Sequence, residues 1–161
     1  MNTWVLPAVP GDAERVASLV RESDRMEVTA ASGRPVLERL QWGQAHGSPA
    51  LTGWCMEGPL CMFGVTCRSV LTREGTPWLL STVLIDGYHL SFLRSSRPHF
   101  EALTERYDYL SNYVDNRHTA AKRWLHWLGF VLGPVVPYGV DNLEFRRFWW
   151  SRDGVKAQAH V

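Results

Sequence analysis

Several of the features that most quickly declare a protein's chemistry are scarce or missing in this chain of 161 residues. Cysteine is sparse, with three thiols at Cys55, Cys61 and Cys67. An odd count leaves no complete disulfide framework and points to free thiols in a reducing compartment. Their equal spacing is not a zinc pattern, and no matched histidine pair supplies further ligands. Buried thiols and no metal site are therefore expected. An excess of one charge is also lacking: the formal net charge is +1. No long-range field favours nucleic acid or an anionic membrane. No apolar run approaches the ~20 residues that span a bilayer. The opening residues, MNTWVLPAVPGDAER, hold neither a basic leader nor a long apolar segment, so no secretion signal is read there. A Gly-x-Ser-x-Gly elbow, a Walker phosphate loop and a His-Glu-x-x-His helix are all absent.

Large rings are abundant instead. Eight tryptophans stand among residues that are 45% hydrophobic and 20% charged. That balance and the length fit one domain with a substantial core. It is placed at residues 1–150, with a polar tail over 151–161. Trp149 and Trp150 are adjacent on an expected strand and cannot both face the same core. One of them is a candidate partner contact, unless the tail covers it.

The clearest local unit is SNYVDNRHTAAKRWLHWLGF, residues 111–130. A short strand leads to Asp115 and Asn116, which suit a turn or cap. Helical spacing follows at Ala120, Ala121, Trp124, Leu125, Trp127 and Leu128. Gly129 stands where a left-handed C-terminal residue is expected. Upstream, TWVLPAV (3–9) reads as a strand near an edge, because Pro7 removes a donor. A helix is predicted from Ala13 to Glu22, a less regular segment over SDRMEVTAASG, and a second helix from Ser32 to Ala45. Strands are predicted at 50–56 and 60–70, then a third, apolar and central, at 78–85. The next helix is predicted from Arg97 or Pro98 to Leu110. Closing strands fall at 130–136 and 143–150. The order is β-α-α-β-β-β-α-β-α-β-β.

This order, with Gly129-Phe130 and Ala121 in the later strand–helix unit, resembles the GCN5-related N-acetyltransferase (GNAT) fold. The resemblance implies an α/β (α+β) class, with a central mixed, mostly antiparallel sheet flanked by about four helices. Further pieces resemble the internal virion protein A family of short-tailed phages, itself GNAT-like. They are ESDRMEVTAASGRP (22–35), MFGVTCRS (62–69), GTPWLLST (75–82), FLRSSRPHFEAL (92–103), NYVDNRHTAAKRWLHWLGF (112–130) and LEFRRFWW (143–150). That resemblance implies a role in particle assembly rather than a reaction. It also implies other phage virion proteins as partners, a possible homo-oligomer, and a place in the virion or host cytoplasm.

Acetyl transfer sets physical requirements against which the residues are tested. A pyrophosphate is usually held by backbone N–H groups of a glycine-rich turn entering a helix. Here the segment Asp86–Arg97 is longer and has one glycine. Arg94, Ser95, Ser96 and Arg97 are the candidates for holding phosphate by side chains. The alternative is that the arginines are solvated or ion-paired and the serines begin the next helix. A leaving thiolate takes up a proton, yet the GNAT tyrosine position is Leu125, which has none to give. The motif asparagine position is His118. If the chain is active, the catalytic candidates are His118, Glu27 and Tyr113, with Asp24 weighed beside Glu27 as base. Two carboxylates beside Arg21 and Arg25 also read as a surface ion-pair set. With the glycine turn and the tyrosine missing, the sequence reads as a non-enzymatic virion component acting through protein–protein contacts and needing no cofactor. The alternative is an acetyl-CoA-dependent N-acyltransferase. Neither specific nucleic-acid binding nor membrane binding is expected.

Overall fold

The computed structural model describes residues 2–154. Its elements are β1 (Thr3–Pro7), α1 (Asp12–Leu19), α2 (Glu22–Ser32), α3 (Val36–His46), β2 (Gly47–Cys55), β3 (Gly58–Ser69) and β4 (Glu74–Ser81). After a 3-10 turn, Val83–Gly87, come α4 (His89–Arg106), β5 (Tyr109–Asp115), α5 (Thr119–Leu128), β6 (Val131–Tyr138) and β7 (Leu143–Ser151). The strands form one sheet in the order β1-β2-β3-β4-β5-β7-β6. Neighbours are antiparallel except β4 and β5, which are parallel. The expected class and mixed sheet are both present, β1 lies at an edge, and β4 is central.

Among the described residues five helices stand where about four were expected. The additional one is α2, read from sequence as irregular. Its buried positions are Asp24 and Ala30, so its inner face carries no large apolar stripe for periodicity to reveal. The other displaced element is α4, which begins at His89 and not near Arg97, with Pro98 inside it. Ser95 and Ser96 donate their hydroxyls to the carbonyls of Phe92 and Leu93. They belong to the body of a helix and do not start one. β4 likewise ends at Ser81, because Thr82 closes the strand: its side chain accepts from Leu84 N–H at 3.3 Å.

Alternation along β3 and β4 makes two apolar layers. Met62 and Leu80 face α1 and α3 through Val16 and Leu40. The opposite face meets α4 and α5 through Phe100, Leu110, Leu125 and Phe130. α5 ends as expected, with Gly129 at φ 104° and its N–H on the Leu125 and His126 carbonyls. Trp150 packs edge-on to Phe100 at 5.9 Å. Trp149 lies over Gly133 of β6. Of the three free thiols, Cys55 and Cys61 are buried, but Cys67 is exposed, contrary to expectation. Ser151 belongs to β7 rather than the tail. Arg152 is bound to Asp108 at 2.8 Å; the rest of the expected tail, from residue 155, lies outside the described residues.

The sheet has one deliberate fault. β4 and β5 pair only through Glu74 with Tyr109 and Gly75 with Leu110. Pro77 then offers no N–H to a neighbour, and the Asn112 side chain donates to its carbonyl at 2.8 Å. Beyond that bond the strands part. Helix α2 is held beside the gap by the β6–β7 turn, where Val140 N–H donates to the Ala30 carbonyl at 3.1 Å. Gly139 makes this approach at φ 80°, and a methyl group there would run into the Ala30 carbonyl. Gly139→Ala is therefore expected to destabilise the fold by about 2 kcal/mol. Thermal melting checks this; an unchanged midpoint would contradict the close approach.

Candidate functional site

The parting strands open a cleft of about 630 Å³. β4 contributes Trp78–Ser81 to one wall and β5 contributes Asn112–Val114 to the other. Helix α2 brings Asp24 and Glu27 to it, the start of α4 brings His89, and the start of α5 brings His118.

Asp24 is 3% exposed and is the most heavily bonded group there. Its Oδ2 accepts from the Ser81 hydroxyl at 2.6 Å, from Ser81 N–H at 3.2 Å and from Arg21 Nε at 3.2 Å. Its Oδ1 lies 3.1 Å from His118 Nε2. One carboxylate thus ties together α2, the end of β4 and the start of α5. Burial pushes the Asp24 pKa upward, but the bonds from His118 and Ser81 and the charge of Arg21 outweigh it and hold the group below the usual range. An ionised carboxylate only accepts, so the imidazole nitrogen facing it carries the proton. In the neutral ring Nδ1 then keeps its lone pair, and no hydrogen bond joins it to any described residue.

Glu27 lies one turn along the same helix and behaves in the opposite way. Its only hydrogen bond among the described residues comes from Asp115 N–H, at 3.0 Å. Burial pushes its pKa up to about 7, aided by the neighbouring Asp24 and Asp115 carboxylates. Asp115 itself is tied to Arg117 at 2.7 Å. Tyr113 stacks on Tyr138 with ring centroids 3.8 Å apart. The three catalytic candidates from sequence, His118, Glu27 and Tyr113, therefore share one cleft.

The four phosphate candidates do not gather into a loop. Arg94, Ser95, Ser96 and Arg97 all lie within α4. Arg97 donates to the Trp127 carbonyl at 2.7 Å and stacks over that ring at 4.3 Å. Ser96 accepts from Trp124 Nε1 at 3.2 Å. The connection from β4 to α4 is only Thr82–Tyr88, far shorter than the twelve-residue segment expected. The first-turn amides of α4, at His89, Leu90 and Ser91, have no partner within their helix. Ser81, the residue that sequence reasoning missed, was visible only as a polar break in the run WLLSTVLI.

No protein-family profile matches the chain, and no curated protein matches it by sequence. Solved structures do match in shape. A spermidine N-acetyltransferase from Vibrio cholerae, solved with CoA and spermine, superposes with a TM-score of 0.68 at 11% identity, covering 93% of this chain and 98% of that one. A chimera of the same Vibrio enzyme with hSSAT gives a TM-score of 0.72 at 10% identity over 96% of this chain and 98% of that one. Ard1 from Thermoplasma volcanium gives 0.69 at 15% identity over 94% of this chain and 98% of that one. The fold is that of the GCN5-related N-acetyltransferases. At such low identity the likeness establishes the GNAT fold alone.

The raised Glu27 pKa has a consequence for stability. An acid whose pKa rises on folding stabilises the native state fully below its ordinary value of 4.5, and that contribution is lost as pH rises through about 7. Glu27→Gln keeps an acceptor for the Asp115 amide. It should leave the melting temperature nearly unchanged at acidic pH and raise it by several degrees in mildly alkaline buffer, a gain of roughly 2 kcal/mol. An equal shift at both ends of the range would contradict a raised Glu27 pKa.

Proposed function

We propose that the chain is an acyl-CoA-dependent N-acyltransferase. The observation that carries this reading is the open gap between β4 and β5, with Glu27 and the His118–Asp24 pair at its head. The edge of β4 that faces β5 has no strand partner beyond Gly75 among the described residues. The pantetheine arm of CoA is an extended chain with two amides, chemically suited to such an edge. The diphosphate would lie against the first-turn amides of α4. This cradle is made of backbone, so it needs neither Arg94 nor Arg97. The structural neighbour solved with CoA supports the same reading.

When bound, the thioester supplies an activated acyl carbon. The amine nitrogen forms the C–N bond, the C–S bond breaks, and sulfur leaves with the electron pair and takes up a proton. The chain's own contribution is to the amine. Glu27 titrates near 7, so at neutral pH it is divided between a form that accepts the amine proton and a form that has taken it. His118, with its proton directed to Asp24, offers Nδ1 as a second acceptor. Leu125 is buried beside the cleft and donates nothing. A thiolate leaving group near the cysteine range can draw its proton from water. Tyr113 supplies a stacked wall for the acceptor.

The virion-assembly role rests on the sequence pieces alone. Of its physical grounds, the length of the β4–α4 connection is the one that differs: Thr82–Tyr88 is short, while the single glycine there and leucine at position 125 stand as read.

Calorimetric titration with CoA should give a micromolar dissociation constant, about −8 kcal/mol. With acetyl-CoA and a panel of primary amines, thiol release should rise as pH passes through about 7. Glu27→Gln should slow it roughly 100-fold and flatten that rise. Absence of CoA binding at millimolar concentration would overturn the assignment.

A further inference from the structure

Helix α4 turns an unusual face toward the sheet. Phe92, Ser95, Ser96, His99, Phe100 and Leu103 follow helical spacing and line a single hollow. Two serines and a histidine occupy places where large apolar side chains would normally fill the layer. Both serine hydroxyls are satisfied on carbonyls of their own helix, so they make no polar demand on the space. The opposite wall is apolar, with Phe63, Leu79, Leu110 and the buried Cys61 thiol. The result is a hollow of about 220 Å³, larger than the roughly 150 Å³ apolar cavity that holds a benzene ring.

This hollow adjoins the cleft. Trp78, Leu79, Phe92, Trp124 and Leu125 line both spaces. Leu125 is the position at which a tyrosine donor was expected from the GNAT resemblance. With leucine there, the wall between cleft and hollow is apolar.

We propose that the hollow receives the acyl chain of the donor, and that the preferred donor carries a medium-length aliphatic acyl group rather than acetyl. This rests on the acyl-CoA reading above and specifies its substrate. Scaled from the roughly 150 Å³ cavity that holds the six carbons of benzene, a hollow of about 220 Å³ holds about eight carbons. Each buried methylene contributes a factor of roughly four to affinity. The gain should grow with chain length and stop near eight carbons.

The test is calorimetric titration of the full chain with CoA, acetyl-CoA, hexanoyl-CoA, octanoyl-CoA and palmitoyl-CoA. Octanoyl-CoA should bind at least tenfold more tightly than acetyl-CoA, with no further gain for palmitoyl-CoA. Leu103 lines the hollow and not the cleft, so Leu103→Trp should abolish the octanoyl advantage while CoA affinity stays within twofold. Val5→Phe fills it from β1 and serves if the first variant does not fold. Equal binding of acetyl- and octanoyl-CoA by a chain that binds CoA would overturn the acyl-chain proposal and leave the acyltransferase reading standing. An octanoyl advantage that survives both variants would also overturn it. Failure of CoA itself to bind would overturn both.

Discussion

Everything at the candidate site depends on two strands that begin paired and then separate. A parallel pair normally continues until one strand ends. Here it stops after Gly75 and Leu110, where the sequence places Pro77 opposite an asparagine. The proline withholds a donor and the Asn112 side chain takes its carbonyl, so the ladder ends without a buried orphan on that carbonyl. A gap inside a sheet exposes backbone groups that need partners. At its far end Asp24 supplies them, taking both the amide and the hydroxyl of Ser81.

The same carboxylate determines the chemistry of its surroundings. Asp24 and Glu27 are three residues apart on one helix; Asp24 is buried and Glu27 half-buried. Asp24 receives a histidine, a hydroxyl, an amide and an arginine, and stays ionised. Glu27 receives one amide, faces two other carboxylates, and holds its proton to about 7. Neighbouring acids pushed in opposite directions take different roles. The first fixes geometry and the histidine tautomer; the second is free to exchange a proton near neutrality.

Much of this was legible in the sequence, for physical reasons that can be named. The α5 unit carries three independent signals: a turn before it, a broad apolar face, and Gly129 after it. Its limits were recovered at Thr119–Leu128. Glu27, His118 and Tyr113 were found as candidates and share one cleft. Helix α2 was hidden because it buries an acid and an alanine instead of a greasy stripe. The start of α4 was misplaced because Ser95-Ser96 before Pro98 imitates a helix entry, whereas those side chains are satisfied inside the helix. That misplacement made the β4–α4 connection look five residues longer than it is, twelve residues against the seven of Thr82–Tyr88. The hollow beneath α4 was not legible at all. It arises from small residues set opposite large ones on elements distant in sequence.

Hydrogen exchange with and without CoA tests the central claim most directly, because it reads the β4 edge and the α4 entry separately. The account requires slowed exchange at the Leu79 amide, the gap-facing donor two residues before the Ser81 amide that Asp24 holds, and at those of His89–Ser91, with little change on β1, β2 and β6. Uniform exchange with and without CoA, or protection confined to Arg94–Arg97, would contradict it.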